Sequence, residues 1–257
     1  MFDTHCHIQD SEFYTPHQGE AVYVAAKEAA VKQMIVVGCD LRSSEEAVKF
    51  AATHESVYAA VGVHPHETSK GIDGIAGLID SSREHVTSRP LIVAIGEIGL
   101  DYFYTHSPRE IQIAALEKQL QLATDLNLAV SFHVREAFSD FWPILNNFSG
   151  VRGVLHSFTD TKETLDKALA RGLYIGVNGI STFTKDARQR EMFDAVPLER
   201  LLLETDAPFL APHPYRGKPN QPAYVGEVAR YHAARRLVDR EQFIARTTAN
   251  AEALFLT

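Results

Sequence analysis

Met1-Phe2-Asp3-Thr4-His5-Cys6-His7 opens the chain as a short apolar run that ends in His-x-His. This stretch separates two ways of building an α/β protein. An open doubly wound sheet usually places a glycine-rich phosphate loop after an early strand, whereas here the run delivers two imidazoles. Strand geometry sends residues i and i+2 to one face, so His5 and His7 point together while Thr4 and Cys6 point the other way. Similar β-branched runs recur at 33–40 (QMIVVGCD), 57–65 (VYAAVGVHP), 91–99 (LIVAIGEIG), 129–135 (AVSFHVR), 153–158 (GVLHSF), 173–179 (LYIGVNG) and 201–208 (LLLETDAP), which with 1–7 makes eight. Amphipathic stretches at 20–32, 43–54, 108–127, 162–171 and 225–237 lie between them, with apolar residues at three-to-four spacing. Runs with little polar alternation are buried on both faces, as in a parallel sheet. Eight of them alternating with helices predict an α/β fold of the single (β/α)8 TIM barrel type.

The composition agrees with one ordinary core. The 257 residues are 45% apolar and 23% charged, and no Ser/Gly/Pro-rich linker divides them, so one domain is expected over 1–257. A net charge of −8 excludes a broad basic coat for gripping a phosphate backbone, and contact with nucleic acid would have to be local. Cys6 and Cys39 are too few for a disulfide framework or a thiolate metal cage, which favours a reducing compartment. No basic leader and no 18-residue apolar run is seen, so the expectation is a cytoplasmic protein with no membrane attachment.

In such a barrel the chemistry sits at the C-terminal ends of the strands. Those ends read His5 and His7, Asp40, His64, Glu97, His133, His156, Asn178, and Glu204 with Asp206. Parity places Glu204 beside Asp206 with Leu202 beneath them, and groups Val93, Ile95 and Glu97. An uncompensated cluster of ionisable groups is costly to bury, so a cation is expected among them. His5, His7, His133 and His156 with Glu97 and Asp206 exceed the three protein ligands that one catalytic zinc normally takes. Two divalent ions are therefore expected. Glu97, from a middle strand with two oxygens to offer, is the natural bridge. Imidazole-rich ligation favours zinc, manganese or iron, while the carboxylates keep magnesium open.

Other residues are ambiguous. His64 either meets a substrate phosphate or is oriented by Glu204, and His66 could be site or structure. His17, His54, His85, His106, His213 and His232 read as solvated or structural, Cys6 and Cys39 as small buried groups. Phe141 and Trp142 fall in a βα loop, where packing competes with base stacking.

Beyond single residues, D-T-H-C-H at 3–7, G-V-H-P-H at 62–66, G-E-I-G-L-D-Y at 96–102, H-V-R-E-A at 133–137, H-S-F at 156–158, L-L-E-T-D-A-P at 202–208 and Y-R-G-K-P-N at 215–220 occur in this order. Together they resemble the TatD-like metal-dependent deoxyribonucleases of the amidohydrolase superfamily, from end to end of the chain. The resemblance implies metal ligation by His5, His7, Glu97, His133, His156 and Asp206, the six positions already selected. It also implies a 3'-5' exonuclease type of activity. Related barrels such as dihydroorotase bridge their metals with a carboxylated lysine after strand four; Glu97 stands in that place here.

The expected chemistry is phosphodiester hydrolysis at a two-metal site. Asp206 is the expected proton acceptor, with Glu204 orienting its neighbours through His64. The loop after strand eight offers Tyr215, Arg216 and Lys218 to a substrate phosphate, Arg216 in bidentate fashion; alternatively Arg216 pins the loop to an acidic neighbour. Few basic contacts suit short single-stranded DNA ends better than wrapped duplex, and no obligate protein partner is expected. The same metals would also serve an amidohydrolase that cleaves a C–N or ester bond of a small molecule, or a metal-stabilised binding protein.

Overall fold

Thr15 begins the first helix: its hydroxyl accepts from Gln18 N, and the Gln18 side chain accepts from Thr15 N, a reciprocal capping box followed by Pro16 at the first helical position. Asp40 and Ser43 repeat the device one helix later. These caps start both helices earlier than the apolar periodicity predicts, and they take Asp40 out of the strand-end set: its carboxylate caps the start of a helix.

The computed structural model describes residues 1–84, 89–104 and 106–257. Along the chain these form β1 (Phe2–Cys6), α1 (Pro16–Glu28), β2 (Gln33–Val37), α2 (Leu41–Thr53), β3 (Val57–Val61), α3 (Ile75–Glu84), β4 (Ile92–Asp101), α4 (Arg109–Asp125), β5 (Ala129–Arg135), α5 (Phe138–Asn146), β6 (Gly153–Leu155), α6 (Lys162–Ala170), β7 (Tyr174–Val177), α7 (Ile180–Phe183), α8 (Ala187–Ala195), β8 (Leu201–Leu203), α9 (Val225–Arg235) and α10 (Arg240–Phe255). The strands follow one another in the sheet in chain order, β1 to β8. The sequence prediction of a (β/α)8 barrel is therefore met.

Two compact units share these elements, Met1–Ile35 with Val154–Thr257, and Val36–Gly153. In the first, β8 runs beside β1: Cys6 and Ala207 form a parallel bridge, His7 N donates to Ala207 O and Asp206 N to His5 O, each at 2.8 Å. Beyond β8, α10 covers Leu201–Leu203, and Asn250 Nδ2 donates to the Leu198 and Leu201 carbonyls. In the second unit β4 is buried along all ten residues and pairs in parallel with β3 and β5. The register between β4 and β5 shifts between Ile95 and Ile98, so simple alternation fails just where Glu97 stands.

Several strands are shorter than the apolar runs that predict them. β2 stops at Val37, β3 at Val61, β6 at Leu155 and β8 at Leu203, because the chemistry-bearing residues follow the last ladder hydrogen bonds. Phe141 and Trp142, expected in a loop, belong to α5; Phe141 is fully buried and stacks edge-on to Phe132. Among the described residues no helix is long and apolar enough to cross a membrane.

Candidate metal centre

The first unit gathers ligands from three strand ends. His5 lies in β1 and His7 just beyond it, His156 follows β6, and Glu204 and Asp206 follow β8. His5 Nε2 and His7 Nε2 are 3.2 Å apart. Asp206 Oδ1 stands 3.4 Å from His7 Nε2, 3.8 Å from His5 Nε2 and 3.7 Å from His156 Nε2. The ligand atoms of a four-coordinate zinc with bonds of about 2.1 Å stand about 3.4 Å apart, close to these spacings, so the donor set suits a divalent ion. The His5 and His156 rings stack at 3.5 Å. Burial would raise the Asp206 carboxyl, but His156, His7 and His5 hold it below the usual range. Asp206 has φ 60°, a left-handed backbone that a short acidic side chain tolerates better than most; the turn aims its carboxylate at the imidazoles.

A second carboxylate backs the set. Glu204 is fully buried; its Oε1 lies 3.1 Å from His156 Nδ1 and accepts from Ser157 N. Glu204 thus stands behind His156, whereas the sequence reading has it orienting its neighbours through His64. A carboxylate on the far nitrogen of a ligating histidine fixes the tautomer and raises its basicity. Gly176 is required here: a Cβ on it would come within 2.3 Å of Glu204 Oε2.

Asp3 is a buried residue of this set that sequence reasoning missed. Buried completely, it accepts from Thr205 N at 2.9 Å, Thr205 Oγ1 at 2.6 Å and His5 N at 3.4 Å. Burial pushes its carboxyl up to about 8, against the pull of those hydrogen bonds. It ties β1 to the turn carrying Glu204 and Asp206. The signal was present: Asp3 shares parity with His5 and His7.

The second unit holds the other candidate ligands. Glu97 of β4 accepts from His133 Nδ1 of β5 at 2.9 Å, and His133 Nε2 reaches Asp101 Oδ2 at 2.8 Å. Burial opposes a charge on His133, but Asp101 and Glu97 raise its pKa to about 9. The Asp101 carboxyl is pulled far below the usual range: burial works the other way, and His133, His66 and Tyr104 N outweigh it. His64 Nε2 is 3.9 Å from Glu97 Oε1, and its Nδ1 accepts from His66 N. Burial and the neighbouring His133 hold His64 well below the usual histidine range, so its ring is neutral. His66 is drawn to Asp101 at 3.1 Å. Asp101, the buried partner of two histidines, is the second residue missed; its only sequence signal is its place in the G-L-D-Y segment. Gly99 at φ 152° has no room for a side chain, since a Cβ would lie 1.8 Å from His133 O.

A family model described as TatD related DNase matches residues 2–256. The chain belongs to this family. It is 34% identical over 263 residues to the metal-dependent hydrolase YabD of Bacillus subtilis, covering 99% of this chain and 98% of that one. It is equally 34% identical, over 264 residues and with the same coverage, to the 3'-5' ssDNA/RNA exonuclease TatD of Escherichia coli. The solved structure of the Escherichia coli TatD homolog YjjV superposes with a TM-score of 0.88 at 29% identity, over 100% of this chain and 98% of that one.

In this TatD family chain the loop at 213–220 carries the residues that the sequence reading assigns to a substrate phosphate. Arg216 donates from Nη1 to Ala211 O at 2.9 Å and stacks its guanidinium on Phe183 at 3.7 Å; a carbonyl and a ring hold it where an acidic neighbour was the alternative. The Tyr215 ring is covered by Tyr224 at 3.8 Å and 4°. Lys218 is exposed. Asn178 donates to Ser157 Oγ and caps Ile180 N, so it shapes loops. Of the remaining histidines, His17 is exposed, His54 Nδ1 lies 2.8 Å from Phe50 O, His106 packs against His66 and Tyr104, and His213 is exposed. His232 is buried between Ser181 Oγ and Arg236. His85 lies outside the described residues. Cys6 is buried, and burial pushes its thiol well up.

Proposed function

We propose that this chain is a metal-dependent 3'-5' exonuclease that hydrolyses phosphodiester bonds at the ends of single-stranded nucleic acid, in the cytoplasm and without an obligate protein partner. One observation carries the reading: full-length similarity, at 34% identity, to a TatD protein named for that activity, combined with ligand sets in this chain that suit divalent ions. In this reading His5, His7, His156 and Asp206 would hold one ion and His133 a second, with Glu97 as the proposed bridging residue, all within one catalytic domain spanning 1–257. Zinc and manganese suit the imidazoles; magnesium suits the carboxylates. When bound, the ions supply Lewis-acid stabilisation of charge on the phosphate and lower the pKa of water.

The residues do the rest. Asp206, held ionised by three imidazoles, accepts the proton of the attacking water. Glu204 and Asp101 hold His156 and His133 in ligating orientation from behind. His64, neutral and buried, donates from Nε2 to an oxygen of the reacting phosphate. Arg216 and Lys218, with Tyr215 steadying the loop, attract the substrate backbone. An end-labelled oligonucleotide incubated with the purified protein across zinc, manganese and magnesium tests the activity: shortening one nucleotide at a time from the 3' end is expected. No shortening with any metal, alongside turnover of cyclic amides or lactones, would replace this function with an amidohydrolase one.

A further inference from the structure

Phe103 and Tyr104 are large apolar residues left 48% and 43% exposed, and both follow directly from the β4 strand that carries Glu97. Their backbone N–H groups donate to Asp101 Oδ1 at 3.0 Å each. The carboxylate that backs His133 therefore also fixes these two rings. Arg135 ends β5, opposite Asp101 in the register and two residues beyond His133, and its carbonyl accepts from Tyr102 N. Its guanidinium lies over Phe103 at 3.8 Å and near Tyr104 at 5.0 Å. Tyr104 in turn meets His66 edge-on at 5.3 Å.

The charge on Arg135 is what singles this cluster out. Elsewhere the exposed arginines of the described residues are commonly paired: Arg42 with Glu46, Arg109 with Asp140, Arg230 with Glu227. Arg135 has no carboxylate partner among the described residues, in a chain of net charge −8. An unneutralised guanidinium stacked on two exposed rings combines the two elements that single-stranded nucleic acid engages: a cation for the backbone and π-faces for bases. A hydrophobic partner surface would not need the cation, and a free anion would not need the rings.

We propose that Phe103, Tyr104 and Arg135 form a nucleotide subsite, in which a base beside the cleaved linkage stacks on the exposed rings and Arg135 contacts the adjoining phosphate. The proposal rests on the exonuclease reading and adds the residues that grip the strand. Stacking tolerates any base, so the subsite favours single strands without choosing sequence.

The metal-loaded enzyme tests it with 3'-end-labelled oligonucleotides that carry either a normal or an abasic residue at each of the two positions flanking the terminal linkage. The wild type should cleave the base-bearing strand about tenfold faster or more, in kcat/KM, at one of the two positions. Phe103→Leu should bring that ratio to about twofold or less, chiefly by slowing the base-bearing strand, while the abasic rate stays unchanged. Arg135→Ala should slow both strands and lower the slope of log affinity against log salt by about 0.7, the value for one phosphate contact on a single strand; Arg135→Lys should restore the slope but not the full rate. A wild type indifferent to the missing base, or a Phe103→Leu enzyme that keeps the preference, overturns the subsite and leaves the exonuclease reading standing. A wild type that cleaves no oligonucleotide with any metal overturns both. Both side chains are exposed, and unchanged melting temperatures would show that the variants fold.

Discussion

The ligand set of the first unit and that of the second are built to one plan with one difference. In each, a histidine stands between two acids, one behind it and one in front. Glu204 backs His156 at Nδ1 while Asp206 faces Nε2 at 3.7 Å; Asp101 backs His133 at Nε2 while Glu97 faces Nδ1 at 2.9 Å. The first set leaves the spacing of an ion between imidazole and acid. The second closes that space with a direct hydrogen bond, and an ion there must replace the proton that Glu97 and His133 share. Two further imidazoles, His5 and His7, stand 3.8 and 3.4 Å from Asp206 Oδ1 in the first set. In the second set His64 Nε2 stands 3.9 Å from Glu97 Oε1.

The largest effect expected from this comparison falls on the acids in front. Asp206→Asn should lower kcat on an end-labelled strand by about 10³-fold, within the range of a lost general base, with little change in KM. A loss below tenfold would move the proton transfer to another group. The acids behind come next. Glu204→Gln and Asp101→Asn should each cost about 10- to 100-fold in metal affinity or activity, as for other carboxylates that orient ligating histidines. If the plan is shared, the two losses should agree within that range in metal-dependence curves; an effect confined to one would break the likeness.

Stability separates the units further. Asp3, which ties β1 to the Glu204–Asp206 turn, has no counterpart in the second set. Thr205→Val removes one of its three donors and should lower stability by about 1–3 kcal/mol in urea denaturation, with the metal affinity of the first set falling as well. An unchanged midpoint would show that the clamp is dispensable.

A smaller effect concerns a buried histidine away from both sets. Burial, aided by Arg236 and Arg235 and opposed by Asp194, lowers the His232 pKa to about 3. The unfolded chain takes up a proton near pH 6.5 and the folded one only near 3, so stability falls as pH drops from 6.5 toward 3, by at most about 1.4 kcal/mol per pH unit. His232→Gln should flatten that dependence in denaturation midpoints measured from pH 6.5 to 5; an unaltered slope would assign the acid sensitivity elsewhere.

How far these features could be read in the sequence differs by kind. The eight apolar runs and the His-x-His end of the first are local patterns, and they predict the (β/α)8 order correctly. The runs overestimate strand length at β3 and β8 because the residues at their C-terminal ends, His64 and Glu204 to Asp206, stand past the last ladder positions. Helices α3, α5, α7, α8 and α10 were not anticipated; α10 mixes Thr247 and Asn250 into its buried face, and α8 buries only Met192 and Phe193. The six candidate ligands are strand-end residues of distinctive type and were legible. Asp101 was not, since a carboxylate that backs a histidine is recognised by its partner in space; Asp3 was overlooked although its parity with His5 and His7 was there to read. Arg216 is legible only in part: its motif suggests an anion contact, but the Ala211 O and Phe183 contacts that fix its guanidinium are not visible in the motif.

Metal stoichiometry tests the account most directly. Elemental analysis of the metal-saturated, desalted protein should find two ions per chain, one after His5→Ala with His7→Ala, and about one after Glu97→Gln, because the first set keeps its own four donors while the second loses its acid. A wild-type ratio of one, or a Glu97→Gln protein that retains two, would contradict it.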